Sequence, residues 1–123
     1  MKQNQITKVY GALKELSALK MPVQAAYQVF AAIKVIEPHY LCGVDMERKL
    51  IEQYGGVLGD EGRIAFPNMD EAKKFQTSLI ELSELDVEIE IKPIKITRSM
   101  LGDQEIRVQT MMNLDGIVVF EDA

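Results

Sequence analysis

Two apolar-striped helices separated by a single break, at Lys20-Met21-Pro22, limit what this chain can fold into more than any other feature. Ile6, Val9, Tyr10, Leu13 and Leu16 recur at spacings of three and four, which places them on one helix face. Val23, Ala26, Tyr27, Phe30 and Ile33 repeat the pattern after the break. Pro22 has a fixed backbone angle and no N–H to donate, so it suits the first turn of a new helix. The pattern predicts one helix over Asn4–Leu19 and a second beginning at Pro22 or Val23, joined tightly as an antiparallel hairpin. The second stripe passes Ile33 and Ile36 and meets Pro38, which either ends the helix or kinks it. Beyond it Leu41, Val44, Arg48 and Ile51 keep helical spacing, and Glu47, Arg48, Lys49 and Glu52 supply a charged outer face. One long kinked helix to Gln53 is the expectation. The alternative is two helices with a turn at Glu37-Pro38-His39.

Gly55-Gly56 stops that helix. Val57-Leu58 and Arg63-Ile64-Ala65-Phe66 then flank the turn Gly59-Asp60-Glu61-Gly62 and read as a small hairpin, closed off by Pro67. Asn68 followed by Glu71 resembles a capping box and opens a third helix, Met69–Leu85, with Ala72, Phe75, Leu79 and Leu82 on one face. Val87, Ile89 and Ile91 alternate with Glu88, Glu90 and Lys92, the clearest strand pattern in the chain. Pro93 places it at an edge or ends it. Ile94-Lys95-Ile96 reads as a further short strand, Ser99–Gly102 as a turn, and Ile106-Arg107-Val108 as another strand. In the tail, Met111, Leu114 and Val118 fit a helix, whereas Ile117-Val118-Val119-Phe120 fits a strand. The expected architecture is a single α+β domain over residues 1–123. It has an N-terminal antiparallel helical hairpin with a long kinked second helix, a third helix and a small, mainly antiparallel sheet.

A chain of 123 residues suits one domain and buries about two-thirds of its unfolded surface. With no Trp and few aromatics, its core must rest on Leu, Ile, Val, Ala and Met. The seven methionines are expected to fill gaps in that core; an adaptable binding surface is the other reading. Cys42 stands alone, which excludes an internal disulfide and a cysteine-based zinc site, and it fits a reducing cytosol. The first residues lack the apolar centre of a signal peptide, and no apolar run approaches the ~20 residues that span a bilayer.

The net charge is −5, unevenly spread. Residues 1–37 carry five Lys against two Glu, a balance of +3, and residues 38–123 carry nine bases against seventeen acids, a balance of −8. Lys2, Lys8, Lys14 and Lys20 are six apart, so they scatter around a helix and form no stripe for nucleic acid. An acidic chain also repels phosphate, which argues against direct DNA or RNA binding.

Reactive groups do not gather in the sequence. His39 is the only histidine, so no histidine metal triad or Ser–His pair is signposted. It lies three residues from Cys42 with no acid to orient it, which does not make a nucleophile. The glycine-rich turn carries Asp60 and Glu61 and lacks a Lys-Ser/Thr ending, so it is a turn and no phosphate cradle. No metal, cofactor or catalytic set is read from the chain, and a non-enzyme is expected. The one unusual surface is acidic. Glu81, Glu84, Asp86, Glu88 and Glu90 fall within ten residues that contain no base. They read either as a solubility face or as a contact surface for a basic partner, where opposite fields speed association and make it salt-sensitive.

Leu13-x-x-Leu16-x-x-Leu19-Lys20-Met21-Pro22-Val23, then Ala26-Tyr27, Glu47-Arg48-Lys49-Leu50 and Tyr54-Gly55, resembles a family of small proteins of unknown function encoded by tailed phages and prophages of Gram-positive bacteria. Members pair such a helical hairpin with a short hairpin, a strand like Val87-Glu88-Ile89 and an apolar C-terminal segment like Met111–Phe120. This chain departs from them by Pro38 and by the glycine-rich Gly55–Gly62 insert. The resemblance spans most of the chain, brings no catalytic residues, and implies a phage context in a bacterial cytosol. By analogy with small acidic phage proteins that act by occlusion, the expected function is non-enzymatic binding of a partner protein through the acidic run. Inhibition of a host defence nuclease, in the manner of anti-CRISPR proteins, is one form of it. The alternative is a virion structural or assembly component that self-associates through its helices.

Overall fold

The computed structural model describes residues 1–121. Its elements are α1 (Gln3–Ser17), α2 (Val23–Gln53), β1 (Val57–Leu58), β2 (Ile64–Ala65), α3 (Met69–Glu84), β3 (Ile94–Thr97), α4 (Arg98–Leu101), α5 (Val108–Asn113) and β4 (Val118–Glu121). The architecture is α+β and helix-dominated. The predicted hairpin of α1 and α2 is its centre, and α1 also meets α3 and α5.

Helix α1 forms as its stripe requires. Ile6, Leu13 and Leu16 are fully buried and Val9 nearly so. Tyr10 sits at the rim and stacks on Tyr40 of α2, with ring centroids 4.2 Å apart. Helix α2 runs unbroken through Pro38 for 31 residues, about 46 Å at 1.5 Å per residue. The single long helix therefore replaces the two-helix alternative.

The buried face of α2 keeps the predicted Ile33 and Ile36 but is rotated away from the rest of the predicted stripe. Ala25, Val29, Ala32, Ile33 and Ile36 point into the core, while Val23, Tyr27 and Phe30 are exposed. Both sets have helical spacing, so the sequence offers two apolar stripes on one half-helix. Contact with α1, β3 and the C-terminal segment selects one of them. Ile94 and Ile96 of β3, with Leu114, Ile117 and Val118, complete the core. The methionines are also displaced from expectation. None is buried, and Met69 and Met112 are among the exposed apolar side chains. Aliphatic residues fill the interior, and Met1 and Met21 pack only against its margin.

The β1–β2 hairpin is antiparallel, with Val57 opposite Ala65 and Leu58 opposite Ile64, and its turn carries Glu61 at φ +64°. Its Phe66 packs on Phe75 of α3, centroids 4.9 Å apart. Asn68 caps α3 as predicted, its side-chain oxygen accepting from the Glu71 N–H at 2.9 Å. The second pair, β3 with β4, is parallel: Ile94 lies opposite Val118 and Thr97 opposite Glu121. A parallel pair needs a crossover between its strands, and α4 and α5 provide it. The ambiguous tail resolves into both of its readings, α5 and then β4. They are separated by a turn at Gly116, whose φ of +83° suits glycine.

Two predicted strands are not strands. Ile106-Arg107-Val108 leads into α5 instead, where Arg107 pairs with Glu15 of α1 and the Thr110 hydroxyl donates to the same carboxylate. Val87–Ile91 keeps a strand's alternation, with Val87, Ile89 and Ile91 half-buried against the core and Glu88 and Glu90 exposed. It nevertheless has no ladder. Only its start is paired. The Leu85 carbonyl accepts from the Gln3 N–H, Val87 and Met1 bond to each other in both directions, and an antiparallel bridge joins Lys2 to Asp86. Alternation reports which side chains face the core; it does not supply a neighbouring strand.

Candidate functional site

The acidic run lies where the end of α3 turns into the extended segment beneath the start of α1. Glu81 and Glu84 come from the last turns of α3, and Asp86, Glu88 and Glu90 from the segment after it. Empty of bases in sequence, this region is not so in space. The Met1–Gln3 pairing carries Lys2 into it, and Lys2 Nζ lies 2.6 Å from Glu84 Oε2. That hydrogen bond and the charge of Glu84 hold the Lys2 ammonium above its usual 10.5 against an opposing effect of burial, and Asp86 adds a lesser push in the same upward sense. Glu84 is thus neutralised locally. Glu81, Asp86, Glu88 and Glu90 are exposed and have no ion pair among the described residues.

Beside this strip is a groove of about 870 Å³. One wall is α2, through Val23, Tyr27, Ala31 and Val35; the other is the extended segment from Glu90 to Ile94. Val23 is 86% and Tyr27 74% exposed. Val23 and Tyr27, which the sequence assigned to packing, therefore belong to an uncovered apolar wall, whereas Ile33 of the same stripe is buried. Sequence reasoning missed it because it read Val23, Ala26, Tyr27, Phe30 and Ile33 as a core face. The available signal was a half-helix apolar on two sides, which marks either deep burial or a contact surface.

The segment facing α2 has a second property. Backbone N–H and C=O groups of Glu88, Ile89, Glu90, Ile91 and Lys92 have no hydrogen-bond partner among the described residues. The run carries neither turn nor bend. An extended, unpaired backbone is a template for another strand.

The other singled-out residues lie elsewhere. Cys42 is exposed on α2. His39, on the same helix, accepts a hydrogen bond on its carbonyl from Gln3 Nε2 at 3.1 Å. Among the described residues, no three His, Cys, Asp or Glu side chains are placed to hold a metal ion, and no helix is long and apolar enough to cross a membrane. No family model matches the chain, and no curated protein or solved structure matches it.

Proposed function

We propose that this chain is a non-enzymatic phage or prophage protein that works by binding another protein. Its contact surface combines the apolar wall of α2 with the acidic strip of Glu81, Asp86, Glu88 and Glu90, Glu84 being shared with Lys2. The observation supporting this is the uncovered wall of Val23, Tyr27, Ala31 and Val35 facing Glu90 at the end of that strip. Exposed apolar surface rimmed by charge is what protein-binding faces present. A basic partner is favoured by sign, and occlusion of a basic groove on a host defence nuclease fits that chemistry.

The test is affinity capture from host lysate at low and high salt, with identification of the captured protein and remeasurement using purified components. Glu88→Lys with Glu90→Lys is expected to weaken the purified complex, as is added salt. Binding indifferent to both removes the electrostatic reading. Tyr27→Lys is expected to weaken binding with no loss of thermal stability, since its ring is solvent-facing. Assembly into a virion through the helical hairpin is the second reading, favoured by the same exposed stripe. A strict monomer in sedimentation at high concentration removes it.

A further inference from the structure

We propose that the groove between α2 and the extended segment binds a peptide in β conformation, which adds as an antiparallel strand to the Glu88–Lys92 backbone. The proposal deepens the partner-binding reading and rests on it. It names the form in which a partner binds and the order of charges that partner carries.

Strand geometry decides which edge is open. Neighbouring residues of a strand present their N–H and C=O to opposite edges. Val87 pairs with Met1 through both groups, at 2.8 and 2.9 Å. Ile89 and Ile91 therefore face the Met1 edge, and Glu88, Glu90 and Lys92 face the other. The groove lies on that other edge: Glu90 and Lys92 line it, and Met1 does not. Glu90 and Lys92, each offering a donor and an acceptor on that edge, thus face a channel whose far wall is Val23, Tyr27, Ala31 and Val35, and Glu88 continues the same edge just beyond the channel. A strand laid there gains main-chain hydrogen bonds on one side and side-chain burial on the other, the combination by which strand addition works.

Charge selects the occupant. Along the solvent side the segment reads Glu88, Glu90, Lys92, that is, minus, minus, plus. An antiparallel partner that matches it reads acid, base, base at alternate positions, from its N- to its C-terminus, with small apolar residues between them facing the groove. The chain's own segment reads acid, acid, base. Paired antiparallel with a second copy in the register that sets Glu88 against Lys92, it places Glu90 against Glu90. A second copy is therefore a poorer match than a foreign strand of the complementary order.

The probe is a synthetic nine-residue peptide, Thr-Val-Glu-Val-Lys-Val-Lys-Val-Thr, added to the full chain. Amide exchange is expected to slow about tenfold or more at Glu88, Glu90 and Lys92, and to stay unchanged at Ile89 and Ile91. Glu90→Lys is expected to weaken the peptide about threefold to fivefold, the size of one cross-strand charge pair, and a peptide with its central Lys changed to Glu to recover that loss. Glu90 is exposed, so this variant leaves the core untouched. Binding without the alternating protection overturns strand addition and leaves the acidic-surface reading standing. No binding of the peptide to the unmodified chain overturns strand addition too, and salt-dependent capture of the purified partner judges the broader reading separately. Alternating protection that arises without peptide and rises with protein concentration, together with a dimer in sedimentation, makes a second copy the occupant and overturns the proposal.

Discussion

Gly43 shows how much a single residue's lack of a side chain can decide. A Cβ at this position lies 2.0 Å from Gln3 Nε2 and 2.9 Å from its Cδ. The gap lets the buried Gln3 amide reach the His39 carbonyl across the α1–α2 contact. Gly to Ala in a helix normally stabilises by about 1 kcal/mol. Here Gly43→Ala is expected to show no net gain in urea unfolding, because Gln3 must swing out and give up its bond. Glu15 presents a different single-residue effect. The Thr110 hydroxyl, joined by Arg107, holds its carboxyl below the usual 4.5, against an opposing effect of burial. A folded-state value below the unfolded one means this stabilisation is present above pH 4.5 and fades as pH falls through the lowered value. The stability difference between the native chain and Glu15→Gln is therefore expected to be constant near neutrality and to shrink in strongly acidic buffer. A difference that grows with acid contradicts the assignment.

At the scale of an element, α2 is the informative case. Pro38 removes the N–H that Lys34 would accept from, and its ring crowds the preceding turn, yet the helix continues to Gln53. Tertiary contacts hold both halves. Val29, Ala32, Ile33 and Ile36 are buried before the proline, and Leu50 after it. Pro38 itself is exposed, so Pro38→Ala touches no packing. The substitution is expected to raise stability by about 1–3 kcal/mol, read as a higher denaturation midpoint. A loss of stability would show that this helix depends on a bend at Pro38. The strand after α3 is the converse case. Its alternating pattern was legible from Val87 to Ile91, but pairing needs a neighbour; residues 1–3 reach only its start, and β4 pairs with β3 beyond its end. Each of these pairings joins segments more than twenty residues apart in sequence, where no local pattern points.

For the whole molecule, the decisive question is which apolar surfaces the fold covers. Ile36→Ala, at a fully buried position, is expected to cost about 2–5 kcal/mol in denaturant unfolding. Phe30→Ala, 57% exposed, is expected to cost far less, and equal losses would mean that the outer stripe is packed in solution. The local periodicities determined the helical hairpin, the third helix with its Asn68 cap, the β1–β2 hairpin and the α+β class, because helix and turn signals reside in neighbouring residues. The acidic run was equally legible as composition. Only the tertiary structure decided that Lys2 neutralises Glu84, that Val23 and Tyr27 stay uncovered while Ala25 and Val29 are buried, and that Glu88–Lys92 has no partner. Each of these depends on which distant segment arrives alongside, and a helix with two apolar faces carries no local instruction about which one the core will take.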